Sequence, residues 1–119
     1  MVVEDDPAIR EMLVRSLAAH YCVYEASDGQ EALDALTRYA APDLLVLDVM
    51  MPRMDGLALA RALKGEGKTK TVPIIFLTGL DSAKDVVQGI NAGARHYLTK
   101  PFKIQDLLSK VSKILGKNG

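Results

Sequence analysis

The chain reads as an α/β domain built on a parallel sheet, and three observations lead there. Strand-like and helix-like segments alternate five times along 119 residues, the pattern of successive βα units. The third strand-like run, Leu44-Leu45-Val46-Leu47, is continuously apolar, as a strand covered on both faces must be. Four strand-like runs end abruptly in polar residues: Val2-Val3 in Glu4-Asp5-Asp6, Leu44 to Leu47 in Asp48, Pro73-Ile74-Ile75-Phe76-Leu77 in Thr78, and His96-Tyr97-Leu98-Thr99 in Lys100. Parallel strands bring all these ends to one edge of the sheet, where open α/β sheets bind their ligands.

Each element has a local reason. After the first strand, Asp6-Pro7 predicts a helix cap followed by proline at the first helical position. Ile9, Met12, Leu13 and Leu17 then line the inward face. Residues 22–26 predict a short second strand. Asp28 and Glu31 stand at capping-box spacing before a helix whose buried stripe is Leu33, Leu36 and Ala40. Pro42 closes the loop before the Asp48 strand, and Pro52 cannot extend that strand. Asp55 predicts the cap of a third helix through Leu59 and Leu63, which runs out in the flexible loop Gly65-Glu66-Gly67-Lys68. That loop follows a helix rather than a strand, so it is not a phosphate loop. Thr78 ends strand four, and Ser82 and Asp85 open a fourth helix with Val86, Val87 and Ile90 inward. Strand five ends at Lys100-Pro101. The fifth helix presents Ile104, Leu107, Leu108, Val111, Ile114 and Leu115 as one apolar stripe.

Composition bounds the function. Hydrophobic residues make up 49% and charged residues 25% of the chain, with no repeat, low-complexity tract or internal boundary, which predicts one ordinary globular domain. Lys+Arg and Asp+Glu both total 15, so no bulk charge draws the domain to nucleic acid or a membrane surface. No apolar run is long enough to span a bilayer, and the N-terminus lacks a signal-peptide pattern. Cys22 is the single cysteine, which excludes a disulfide framework or thiolate cluster. It is expected to fill the core, in a cytoplasmic setting. His20 and His96 are expected at the surface. The first strand has barely begun at Met1, and Lys117-Asn118-Gly119 reads as the start of a linker. Residues 1–119 are therefore expected to be the isolated or trimmed domain of a longer protein.

The polar edge carries the chemistry. Glu4, Asp5 and Asp48 would gather three carboxylates, and such a cluster pushes one acid toward its neutral form unless a cation compensates. Mg²⁺ suits the set, because it prefers oxygen ligands, binds through a few carboxylates and keeps waters that a phosphate can replace. Three carboxylates, Lys100 and Mg²⁺ sum to about zero charge. A phosphoryl group there would meet a metal, an ammonium and the Thr78 hydroxyl, the groups that stabilise phosphoryl transfer. A carboxylate can itself be the nucleophile. Asp6 and Asp55 are read as helix caps, not as members of this set.

From Val2-Val3-Glu4-Asp5-Asp6, through Leu47-Asp48 and Met51-Pro52-Arg53-Met54-Asp55-Gly56, then Leu77-Thr78, to Tyr97-Leu98-Thr99-Lys100-Pro101-Phe102, the chain resembles end to end the receiver domain of the bacterial two-component response regulators. Each motif alone is weak; all of them in order are specific. The resemblance implies a flavodoxin-like (βα)5 fold, a five-stranded parallel sheet of order 2-1-3-4-5 with helices on both faces. It implies that Asp48 accepts a phosphoryl group from a sensor histidine kinase or a histidine phosphotransfer protein. Asp5 then matches the direct Mg²⁺ ligand, Glu4 its acidic neighbour, and the Met50 main-chain carbonyl a further ligand. Thr78 and Lys100 match the residues that bind the phosphoryl group, and Tyr97 the aromatic switch that moves with Thr78. Lys100-Pro101 matches a cis peptide. The output passes to a downstream effector domain or protein through the face of helix four, strand five and helix five, with a phosphorylation-dependent dimer as a further partner.

Two features depart from the family. Met50 and Leu80 are apolar where the family tunes the attack of water on the acyl phosphate, so self-dephosphorylation is expected to be slow. Arg95-His96 precedes Tyr97 and Val86-Val87 stands in helix four, replacing the salt-bridging residues of the winged-helix branch's dimer. Three other readings compete. An aspartyl-phosphate hydrolase of the haloacid-dehalogenase type needs a general acid where this chain has Met50. A flavin-mononucleotide carrier needs a phosphate cradle where this chain has three acids. An unphosphorylated docking module would not need the intact site.

Overall fold

The computed structural model describes residues 1–48, 56–65, 71–79 and 96–116. Five strands, β1 (Val2–Val3), β2 (Glu25–Ala26), β3 (Leu45–Asp48), β4 (Ile74–Thr78) and β5 (His96–Thr99), form one parallel sheet in the order β2-β1-β3-β4-β5. Four helices are described: α1 (Pro7–Ala18), α2 (Gly29–Arg38), α3 (Gly56–Lys64) and α4 (Ile104–Leu115), the last being the fifth helix of the sequence reading. The helix expected from Ser82, and with it Met50, Asp55, Leu80, Val86, Val87 and Arg95, lies outside the described residues.

Alternation along the strands sorts the core into two layers. Val3, Leu45, Leu47, Ile74 and Phe76 pack with Ala32 and Leu36 of α2 and Leu59 and Leu63 of α3. Val2, Val46, Ile75 and Leu77 pack on the other side with Leu13 and Leu17 of α1 and Leu107 and Val111 of α4. Both faces of β3 and β4 are therefore covered, which is why these strands read as unbroken apolar runs.

The caps predicted at Asp6 and Asp28 are formed. Asp6 accepts from the main-chain N–H of Ala8 at 2.9 Å and of Ile9 at 3.3 Å, with Pro7 opening α1. Asp28 accepts from the Glu31 N–H at 2.8 Å. The Glu31 carboxylate completes the turn by accepting the Ser27 hydroxyl at 2.7 Å.

Five local expectations are corrected. Cys22 is exposed rather than core filler. It precedes β2, which covers only Glu25–Ala26 because its sole neighbour in the sheet, β1, offers two paired residues. Met12 is exposed; it stands one residue from Leu13, hence about 100° around the helix from the buried stripe. Ala40 is exposed because α2 stops at Arg38 and Tyr39 turns extended, so Ala32 joins Leu36 in the stripe instead. His96 is half-buried, since it opens a paired strand, while His20 is exposed as expected.

The order of the sheet positions the site. From β1 the chain moves to one side to make β2, then crosses back past β1 to make β3 and continues outward. The connections leaving β1 and β3 thus run to opposite faces and part at the carboxyl ends of these strands, which opens a crevice there.

Candidate functional site

Glu4-Asp5 follows β1 and Asp48 ends β3, so the two neighbouring strands at the crevice deliver all three predicted carboxylates to it. One oxygen from each of Glu4, Asp5 and Asp48 lies within 4.8 Å of the others. Their surroundings differ. Glu4 is 0% and Asp48 4% exposed, whereas Asp5 faces solvent. The cluster is therefore a buried floor with one open side.

Lys100 closes it from β5. The N–H of Lys100 donates to the Thr78 carbonyl at 2.6 Å, which ties the end of β5 to the end of β4. Its Nζ then reaches Glu4 Oε1 at 3.0 Å and Asp48 Oδ2 at 3.3 Å. The Lys100–Pro101 peptide is cis, as the resemblance implies. Burial by itself would lower the pKa of the Lys100 ammonium, but its contacts with Glu4 and Asp48 outweigh that and hold it above its ordinary value. The lysine is charged throughout the neutral range.

Glu4 bears the cost of the crowding. Burial, and next a hydrogen bond shared with Asp48, push its carboxyl up to about 7, against the opposing pull of the Asp6 N–H and Lys100. The shift expected on one acid of the set thus falls on the most buried of them, and burial rather than charge repulsion is its main cause. A hard divalent cation in contact with the cluster would remove it. The donor set, three carboxylates with one open to solvent, is the kind Mg²⁺ takes, and the residues present fit that ion.

Every polar group of Glu4 is engaged. Its N–H donates to the Ala26 carbonyl at 3.2 Å, and Oε2 accepts the Asp6 N–H at 3.1 Å. Its carbonyl accepts Nη1 of Arg10 at 2.9 Å. The reading of the sequence did not single out Arg10. Its signal was a cation in the opening turns of α1, where the helix dipole disfavours positive charge unless a local partner holds it. Nε of Arg10 has such a partner, Glu25 Oε1 at 3.2 Å.

Thr78 ends β4 beside Asp48, in a register that pairs Asp48 with Leu77. It is 2% exposed, and its hydroxyl oxygen is the one buried side-chain polar atom among the described residues without a hydrogen-bond partner. Leaving such a group unmatched costs about 1–3 kcal/mol, so the hydroxyl suits an incoming acceptor. Tyr97 is half-buried on β5 and stacks on Phe76, with centroids 5.9 Å apart and planes 22° off parallel. Phe76 pairs with Tyr97 in register, and Thr78 lies two residues further along the same face of β4. The expected metal ligand at Met50 lies outside the described residues. A groove of about 950 Å³ opens at the far, amino-terminal edge of the sheet between Leu17, Tyr24, Leu44 and Leu115; none of the clustered carboxylates lines it.

A five-stranded parallel sheet of this order with acids at its switch point defines a class, and comparison with known proteins agrees with it. The response regulator receiver domain family matches residues 1–112, and the chain belongs to that family, the receiver domains of two-component signalling, with a flavodoxin-like fold. Response regulator MprA of Mycobacterium tuberculosis is 49% identical over 116 residues, which cover 97% of this chain and 49% of MprA. The chain thus spans about half the length of the curated relatives it matches. Among solved structures, the signal receiver domain of a signal transduction histidine kinase from Syntrophus aciditrophicus is 40% identical with a TM-score of 0.88, covering 97% of this chain and 87% of that one. The chemotaxis protein CheY4 of Vibrio cholerae is 33% identical with a TM-score of 0.88, covering 95% and 94%. No described helix is long and apolar enough to cross a membrane.

Proposed function

We propose that the domain is a phosphorylation-driven switch in which Asp48 accepts a phosphoryl group from a phosphohistidine of a sensor kinase or phosphotransfer protein. The observation that carries this reading is the contact of Lys100 with the buried Asp48 beside two further acids, with the unmatched Thr78 hydroxyl at the end of the neighbouring strand. An oxygen of Asp48 attacks phosphorus, the P–N bond breaks, and the imidazole nitrogen keeps the electron pair. Lys100 stays protonated and offers its ammonium to the phosphoryl oxygens. Burial of Asp48 and Thr78 excludes bulk water and strengthens each of these contacts. Glu4 and Asp5, with Asp48 and the Met50 carbonyl, would hold Mg²⁺, which when bound neutralises the acids and the charge developing on the transferred group.

The switch needs only two conformations that meet the phosphoryl group differently. Thr78 gains a partner when it turns toward that group. Tyr97 shares its face of the sheet and its Phe76 neighbour, so a shift of Thr78 changes the space available to the tyrosine. The surface around β5 and α4 then changes its preference for a downstream effector domain or protein. The reading belongs to a cytoplasmic signalling protein whose own catalysis is limited to gaining and slowly losing the phosphoryl group.

Acetyl phosphate with Mg²⁺, followed by intact-mass measurement, tests it. The expected result is a gain of one phosphoryl group, lost when Mg²⁺ is chelated or when Asp48→Asn replaces the acceptor. A protein that gains none, or gains it equally as Asp48→Asn, is not this switch.

A further inference from the structure

We propose that Arg10 is a positioning residue for the metal loop, acting through the main chain of Glu4 rather than by touching the metal or the phosphoryl group. This rests on the metal-binding reading above. β1 leaves the sheet directly after Val3, so the Glu4 carbonyl lies beyond the last strand residue of β1, and Asp5 after it sits on a bend. Arg10 donates to that carbonyl at 2.9 Å. The same guanidinium is anchored at 3.2 Å to Glu25, and Glu25 pairs in register with Val2 on β1. The clamp therefore joins three elements, α1, the end of β1 and the edge strand β2. It orients the peptide from which both Glu4 and Asp5 hang.

The planar fork of arginine suits this double task, with one N–H for each acceptor. The ion pair itself is weak, because the Glu25 side chain is 53% exposed and such pairs contribute little. The contact with the Glu4 carbonyl is the one that matters, and Glu25 serves to aim the guanidinium at it.

Position and charge make opposite predictions here. Arg10 adds a positive charge near a cation site, so if it acted by charge alone its removal would tighten Mg²⁺ binding. If it positions the loop, removal weakens binding, as the loss of supporting partners around metal ligands does. The test is Mg²⁺ titration by calorimetry on the wild type, Arg10→Met, Arg10→Lys and Glu25→Gln, with amide hydrogen exchange recorded in chelator. Arg10→Met is expected to weaken Mg²⁺ about tenfold. Arg10→Lys, which keeps a donor for the carbonyl, is expected to recover most of that loss, and Glu25→Gln to lie between it and the wild type. In chelator, the amides of Asp5 and Asp6 should exchange several-fold faster in Arg10→Met, while α4 exchanges as in the wild type. Tighter or unchanged Mg²⁺ binding in Arg10→Met overturns the proposal, and so does unchanged exchange at Asp5 and Asp6. A wild type that takes no Mg²⁺ refutes the metal reading instead, and the metal-free exchange then still decides whether the clamp exists.

Discussion

Glu4 and Asp5 are neighbours of like charge with opposite fates, one buried and one facing solvent. The buried one carries a measurable consequence. Its carboxyl is raised from 4.5 to about 7 in the folded protein. Between those values the folded state holds a proton that the unfolded state has released, so its contribution is fully present below 4.5 and is lost as pH rises through about 7. The metal-free protein is therefore expected to lose stability across that window, on the order of 3 kcal/mol if the whole shift is expressed. Mg²⁺ bound at the proposed site is expected to reverse the slope, because its binding favours the ionised carboxylate. Urea unfolding at a series of pH values, in chelator and in Mg²⁺, reads both effects. A metal-free stability that is flat from pH 4.5 to 7 contradicts the burial of a strained acid at Glu4.

Helix starts are where single residues act on whole elements. Asp28 is 4% exposed, and its side chain satisfies the Glu31 N–H of α2. Asp28→Ala removes that acceptor and leaves a donor unmatched in a partly buried position, which is expected to cost about 1 kcal/mol. The change should appear as a lower urea midpoint with an unaltered slope, because the surface exposed on unfolding stays the same. An unchanged midpoint means α2 does not depend on this cap. β2 depends on its neighbour alone. It gains a strand conformation only where β1 meets it, so its residue preferences predict a longer strand than the two residues that pair.

The described residues form a sheet between two apolar layers, and among them the layers meet through the strands. Leu47 is buried in the layer of α2 and α3, and Leu107 in the layer of α4 and α1. Because alternate residues of β3 and β4 face opposite layers, neither layer can melt without loosening the strands that hold the other. Leu47→Ala and Leu107→Ala are each expected to cost about 2–5 kcal/mol, within a single unfolding transition that fluorescence of the tyrosines and far-ultraviolet circular dichroism report together. Two separate transitions in either variant would mean that the layers fold independently. The same construction would serve the proposed switch, since a rigid sheet lets a change at the ends of β3 and β4 reach β5 through packed side chains.

The sequence by itself determined the element types, their order and the edge on which polar residues gather. These follow from local periodicity, helix caps and the abrupt endings of apolar runs. Asp48, Thr78 and Lys100 could be picked out for the same reason, since a polar residue closing a buried strand is visible without knowing its neighbours. Only the tertiary structure decided that Glu4 is buried while Asp5 is open, that Cys22 and Met12 face water, and that Arg10 reaches back to the Glu4 carbonyl. Each of these depends on which strand or helix lies alongside. The spacing of residues along the chain carries no record of that, because the contact is made by folding and the pattern in the sequence is the same with or without it.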